Sequence, residues 1–358
     1  MKPFRVLSLD GGGMRGIYSA NYLSRLACNF AKKNKSGPID LGKQFDLIVG
    51  TSTGAFIACG LAAGKDLQEI VSMYQKYGSK IFQLPLPSGN AAMVVLRIVM
   101  DIFRRRKAIE AGEASLRQAL LECLGNETMG SLFKRRGIGL AVPAIEMGRH
   151  RGWVFKTAHL ANSSMRDDDY SLVDVCLASS AAPLYRSLAS IDVPHSQGSG
   201  AFNVFCDGGL WANNPVFVAL VDALEMANDD QEIQIFCMGT CPRPAGEELK
   251  KTDVNRGLIG WRFGGETASL AIDAQEFAYD FIASKLVMHL KKRCSIIRFP
   301  AEKVPASMMQ YLGLDDARRE SIAALLRQSN TDADFANSIC GDNSNPIGIK
   351  LNELFSIQ

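Results

Sequence analysis

The sequence predicts an α/β fold, and three observations predict it. The apolar strand Phe4-Arg5-Val6-Leu7-Ser8-Leu9 runs into a glycine-rich turn and then a helix. A second strand, Phe45-Asp46-Leu47-Ile48-Val49, repeats that order through Gly50-Thr51-Ser52-Thr53-Gly54 into an apolar helix. A third, Phe202-Asn203-Val204-Phe205-Cys206, ends in Asp207-Gly208-Gly209 ahead of a further helix. Strands that alternate with helices are the pattern of an α/β sheet, whose sites form at the strand ends.

Bulk properties set the limits. The chain has 358 residues and 47% hydrophobic content, enough for a large core. No linker divides it, and we read one domain over residues 1–358 with a helical elaboration from about 304 to 358. Forty basic against 37 acidic residues leave a net charge of +3, which calls for no nucleic acid polymer. The nine cysteines form no C-x-x-C pair, and no zinc ligand set accompanies Cys237 and Cys241. Scattered single cysteines suggest reduced thiols in a cytosolic protein. Met1-Lys2-Pro3 leads straight into the first strand with no secretion signal. No apolar run approaches the length of about 20 residues that spans a bilayer.

In chain order, the first strand ends in Asp10-Gly11-Gly12-Gly13-Met14-Arg15-Gly16. The helix that follows carries Ile17, Ala20, Leu23, Leu26, Ala27 and Phe30 on one face. Gly11, Gly13 and Gly16 also fit a dinucleotide fingerprint, but the acidic residue expected at the end of the second strand is replaced by the serine turn. The other use of Gly11, Gly12 and Gly13 is an oxyanion hole, three N–H groups turned onto one small anion. Arg15 either braces this loop or adds positive potential, with a plain solvated arginine as the alternative.

The second turn reads Gly-x-Ser-x-Gly between strand and helix, the setting of a nucleophile elbow. Gly50 and Gly54 leave room where the turn crosses the next helix, and the helix N-terminus favours negative charge at Ser52. A plain Gly/Ser/Thr turn is the alternative.

Residues 67–82 read as a helix. Residues 91–103 are the most apolar stretch, interrupted by Arg97 and Asp101 and followed by Arg104-Arg105-Arg106-Lys107. Residues 91–107 suit either a core helix with a solvated end or a lid that lies on a membrane. Residues 137–144 and 152–157 read as strands paired across the turn at 148–151. Residues 171–182 read as a helix of small side chains that ends in Ala178-Ser179-Ser180-Ala181-Ala182-Pro183. A helix is expected near Pro215, with proline in its first turn. A strand at 231–238, a helix at 266–292, a strand at 294–299 and polar helices from 304 complete the chain.

The motifs Asp10 to Gly16, Gly50 to Gly54 and Asp207 to Gly209 occur in this order, each at a strand end. Together with the 178–183 segment they resemble the patatin-like phospholipase family. The resemblance covers residues 10–209 and implies a three-layer α/β/α sandwich with a mostly parallel central sheet. It implies a serine acyl hydrolase acting on membrane phospholipids through a Ser–Asp dyad, with no required cofactor and no metal. Carried onto this chain, Ser52 is the nucleophile, Asp207 its base, and Gly11, Gly12 and Gly13 the oxyanion hole. Arg15, Gly50, Gly54, Gly208 and Gly209 support them.

The residues lend the dyad some independent support. The chain has four histidines, His150, His159, His195 and His289, and none is well placed to complete a Ser–Asp–His order. A carboxylate base needs burial to raise its pKa toward neutrality, so Asp207 is expected to be desolvated and bonded to Ser52.

The opening from Leu9 to Tyr18, the compact length and the helical C-terminal part also resemble bacterial antiphage effectors of the CapV type. That resemblance implies activation by a cyclic dinucleotide such as 3′,3′-cGAMP made by a partner cyclase, with action at the inner face of the membrane. The basic residues Arg104 to Lys107 are candidates for its contact, and a homo-oligomer is open. The alternatives are a constitutive lipid esterase and a non-catalytic patatin-fold binding protein.

Overall fold

The computed structural model describes residues 1–84, 102–194, 200–241, 251–255, 257, 261, 265–300 and 304–356. The apolar segment at 91–101 and His195 lie outside the described residues.

The first half of the fold comprises β1 (Phe4–Leu9), α1 (Gly16–Lys33), β2 (Leu47–Gly50), α2 (Thr53–Ala63), α3 (Leu67–Ile81), α4 (Ile102–Leu124) and α5 (Met129–Arg136). The antiparallel pair β3 (Gly139–Glu146) and β4 (Arg151–Lys156) follows, with the expected partners. Next come α6 (Leu172–Ser179), β5 (Ala189–Asp192), β6 (Phe202–Asp207), the single turn α7 (Gly209–Ala212), α8 (Val216–Met226) and β7 (Ile233–Met238). The chain continues with α9 (Gly265–Leu286), β8 (Cys294–Phe299), α10 (Arg319–Ile339) and α11 (Pro346–Ser356).

Eight strands form one sheet in the order β5-β6-β3-β2-β1-β7-β8, with β4 alongside β3. The run β3-β2-β1-β7-β8 is parallel, and β4, β5 and β6 join antiparallel. Both faces of β1, β2, β3 and β7 are buried, which explains their largely apolar sequences. Leu7, Leu9, Ile48, Phe236 and Met238 point to one face, in one core with residues of α1 to α6, α10 and α11. Val6, Leu47, Val49, Ile235 and Cys237 point to the other, under α8 and Ala283 of α9. The arrangement is the α/β/α sandwich. Helix α2 is buried along its whole length, which accounts for its lack of a polar stripe.

Several elements differ from the expectation, and α5 and β5 have no counterpart in it. Helix α6 stops at Ser179, where the Ser179 and Ser180 hydroxyls donate to the Pro143 and Cys176 carbonyls. Pro215 caps α8 and precedes its first residue. The helix expected over 266–292 ends at Leu286, followed by a 3-10 turn over Val287–His289. Helix α4 begins at Ile102 and runs on to Leu124, where a mostly polar surface hides the buried stripe Leu116, Ala119, Leu120 and Leu124.

Candidate active site

Strand β3 brings the two motifs together. Its first residues pair with β2, Val49 facing Ala141. Further along, the same strand pairs with β6, Ala144 facing Asp207. β2 has ended by then, so the turn after it and the end of β6 meet beside Pro143 and Ala144. There the Ser52 hydroxyl donates to Asp207 Oδ2 at 2.8 Å.

The turn that presents Ser52 is strained. Ser52 has φ 55° and ψ −119°, a conformation that side-chain-bearing residues rarely adopt. Surrounding contacts hold it there. The Ser52 N–H donates to Ser179 Oγ at 2.8 Å, and that hydroxyl donates to the Pro143 carbonyl at 2.6 Å. Thr51 Oγ1 donates to the Ala212 carbonyl at 2.6 Å. A Cβ on Gly50 would lie 2.3 Å from the Gly54 carbonyl oxygen, and one on Gly54 would lie 2.4 Å from that of Leu9. Both obstacles are backbone, so neither position accepts a side chain without moving a strand or helix.

Asp207 is buried, and burial pushes its pKa up to about 6. The Gly209 N–H on Oδ1 at 2.6 Å, the Ser52 hydroxyl and the Arg186 charge oppose that rise. Arg186 donates to Ser180 Oγ at 2.8 Å, and its own pKa is pulled down to about 10 by desolvation. Gly208 donates its N–H to the Ser179 carbonyl, tying the aspartate turn to the end of α6. A buried carboxylate that titrates near neutrality and accepts from a hydroxyl is equipped to take that hydroxyl's proton.

The glycine loop lies against the same spot, since a Cβ on Gly11 would come within 3.3 Å of Ser52 Cβ. Its amides are not all free, in contrast to the expectation for Gly11, Gly12 and Gly13. Gly11 N–H donates to the Asn213 carbonyl at 2.9 Å and Gly12 N–H to Thr53 Oγ1 at 3.1 Å. The loop's close packing, with Thr240 Oγ1 also donating to the Gly11 carbonyl at 3.0 Å, uses these groups for its own support. Gly13 N–H and the N–H of Thr53, the first residue of α2, have no acceptor among the described residues. The latter is a helix-start amide without an intrahelical partner, directly after Ser52. Arg15 is buried, and its Nε donates to the Gly12 carbonyl at 3.3 Å, so it braces the loop.

No described histidine bonds to either residue of the pair. His159 is buried elsewhere, between Thr157 and Asp222, and His150 and His289 are exposed. The roles of Asn213, Thr240, Ser179 and Arg186 are not marked in the sequence by any spacing rule. The Asn213-Asn214 pair, close behind Asp207-Gly208-Gly209, was the one available signal.

The patatin-like phospholipase family matches residues 7–220, more than half of the chain. The cGAMP-activated phospholipase of Pseudomonas aeruginosa is 31% identical over 280 residues, 77% of this chain and 73% of that one. The cGAMP-activated phospholipase of Escherichia coli is 31% identical over 241 residues, 66% of this chain, and the match spans only 62% of that relative's length. Patatin-like protein 4 of Arabidopsis thaliana is 27% identical over 225 residues, 60% of this chain and 51% of its own. Matched over both the glycine loop and the serine turn, up to and beyond Asp207, the chain belongs to the patatin-like phospholipase family.

Proposed function

We propose that this protein is a serine acyl hydrolase that cleaves ester bonds of membrane phospholipids through Ser52 and Asp207. The observation that carries the reading is the 2.8 Å hydrogen bond between two buried groups at neighbouring strand ends. Ser52 Oγ bonds to the ester carbonyl carbon while its proton passes to Asp207. Gly13 and Thr53 offer their N–H groups to the oxyanion, and the rest of the Gly11–Gly13 loop shapes its site. Collapse of this intermediate expels the lysolipid alcohol, which takes the proton back from Asp207. Water, deprotonated by the same carboxylate, then releases the fatty acid from Ser52.

The expected result for Ser52→Ala is complete loss of labelling by a fluorophosphonate probe. A variant that still labels at full stoichiometry places the nucleophile elsewhere.

We read the whole chain as one domain. Helix α10 packs on α1 through Tyr18 to Asp332, Asn21 to Ser329 and Arg25 to Asp334. The relatives named for activation by cGAMP support a cyclic dinucleotide as activator, acting by a population shift in bacterial antiphage defence. Adding 3′,3′-cGAMP is expected to raise lipid release roughly 5- to 150-fold, the range of ordinary allosteric coupling. Equal release with and without the nucleotide leaves a constitutive esterase. Among the described residues no helix is long and apolar enough to cross a membrane. The site of action we propose is peripheral, at the inner face of the membrane.

A further inference from the structure

Helix α9 carries two apolar stripes. Its inner side packs against the body through Tyr279, whose ring meets Phe217 edge-on, and through the buried Ala283. A helix at the surface of a globular protein normally turns a polar face outward. This one exposes Leu270, Phe277 and Phe281, which recur at seven- and four-residue intervals, and Met288 continues the line in the following turn. Phe277 is 76% exposed, Met288 71%, and Leu270 and Phe281 54% each. The two phenylalanine rings stack on each other at 6.4 Å in the open. Exposed apolar patches of this kind mark contact surfaces.

From Leu270 to Met288 the stripe extends about 27 Å along the helix. We propose that this outer face of α9 is the surface by which the protein lies on a phospholipid bilayer with anionic headgroups. The proposal rests on the lipid hydrolase reading above and names the surface that reading needs. Charge selects the partner. Lys285 stands exposed with its ammonium 5.9 Å from the Phe281 ring, and the exposed Lys291 and Arg293 follow the end of the stripe. Asp273 is the one exposed carboxylate among the described side chains of α9. Protruding aromatic and aliphatic side chains with a cationic margin fit the headgroup boundary, where rings enter the acyl layer and lysines meet phosphates. A second copy of the chain fits less well, since the described side chains of its α9 would offer these three cations a single exposed carboxylate, Asp273.

The inner side of α9 ties this surface to the catalytic loop. Gln275 Oε1 accepts the Asn213 N–H at 3.1 Å, Glu276 accepts from the Asn213 side chain, and Asp280 Oδ1 accepts from Asn214 Nδ2 at 2.7 Å. Asn213 in turn holds Gly11, so a bilayer seated on α9 would be oriented relative to Ser52 through rigid contacts.

The test uses the full-length Ser52→Ala protein, so that vesicles survive, and measures sedimentation with phosphatidylcholine vesicles with and without phosphatidylglycerol. Binding is expected to strengthen with phosphatidylglycerol, and to fall on the order of 100-fold when Phe277→Glu and Phe281→Glu are added. Phe277→Leu, which keeps the face apolar, should retain most of the binding. In the chain with Ser52 intact, the double glutamate variant should keep its thermal unfolding profile and its kcat/KM on a soluble short-chain ester. Vesicle binding unchanged by the two glutamates overturns the proposal. So does light scattering that shows the substitutions splitting an oligomer, which would make the face a self-association surface. Absence of soluble-ester hydrolysis by the unsubstituted protein with 3′,3′-cGAMP present would refute the hydrolase reading, while the sedimentation result would still decide the surface.

Discussion

Replacing Asp207 with Asn is expected to lower kcat/KM on a soluble ester by roughly 100- to 10,000-fold, the range that a positioned general base supplies. The substitution is nearly isosteric. An amide oxygen can still accept the Gly209 N–H that now bonds Oδ1 at 2.6 Å, so the turn and the fold should survive. What disappears is the acceptor for the Ser52 proton, because the amide nitrogen donates and cannot take a proton at neutral pH. The unsubstituted protein supplies the control. Burial has raised Asp207 to about 6. Only the ionised carboxylate can act as base, so kcat/KM should rise with pH through about 6 and level off above it. The Asn variant should lack that ascending limb. Near-normal turnover by the variant, or a parent profile flat across this range, would assign the base to another group.

The second large effect is on stability. Arg298→Met is expected to destabilise the protein by about 3 kcal/mol, the lower end of the range for breaking a buried ion pair from one side. Arg298 Nη1 bonds Asp10 Oδ2 at 2.7 Å and Nη2 bonds Asp280 Oδ1 at 2.7 Å. It thereby ties β8 to the start of the glycine loop and to α9. Asp280 keeps some contact with water, which moderates the loss. Asp10 does not: its Oδ1 is buried without a hydrogen-bond partner among the described residues, and burial raises its pKa to about 7 even with Arg298 beside it. The sign of the pH dependence follows. A carboxyl raised from 3.8 to about 7 contributes stability that is full below 3.8 and lost as pH climbs through 7. Without the arginine, Asp10 should be harder still to ionise. The deficit of the variant, read from urea midpoints, should therefore be larger at pH 8 than at pH 5. Equal deficits at both values would mean that the arginine acts through packing alone.

Much of the site is legible in the sequence. A glycine on each side of a serine, between an apolar strand and an apolar helix, describes a local geometry, and local geometry is what short sequence patterns encode. The same holds for Asp207-Gly208 at a strand end. The groups recruited from a distance were not legible. Ser179 bonds a residue 127 positions away, and Asn213 holds a glycine 202 positions away. No periodicity reports such contacts. The engagement of the Gly11 and Gly12 amides was likewise out of reach, because a run of glycines specifies freedom of the backbone and says nothing of where each N–H points. Helix α4 escaped notice because its buried stripe is narrow and its remaining surface is charged.

By itself, then, the sequence determined the element types, the order of the three motifs, and the two side chains for which we propose proton exchange. Whether Ser52 and Asp207 meet was decided only by tertiary structure, through the change of neighbour along β3, from β2 at Ala141 to β6 at Ala144. Register of that kind is set by packing of both sheet faces at once, a property of the assembled core and of no single segment.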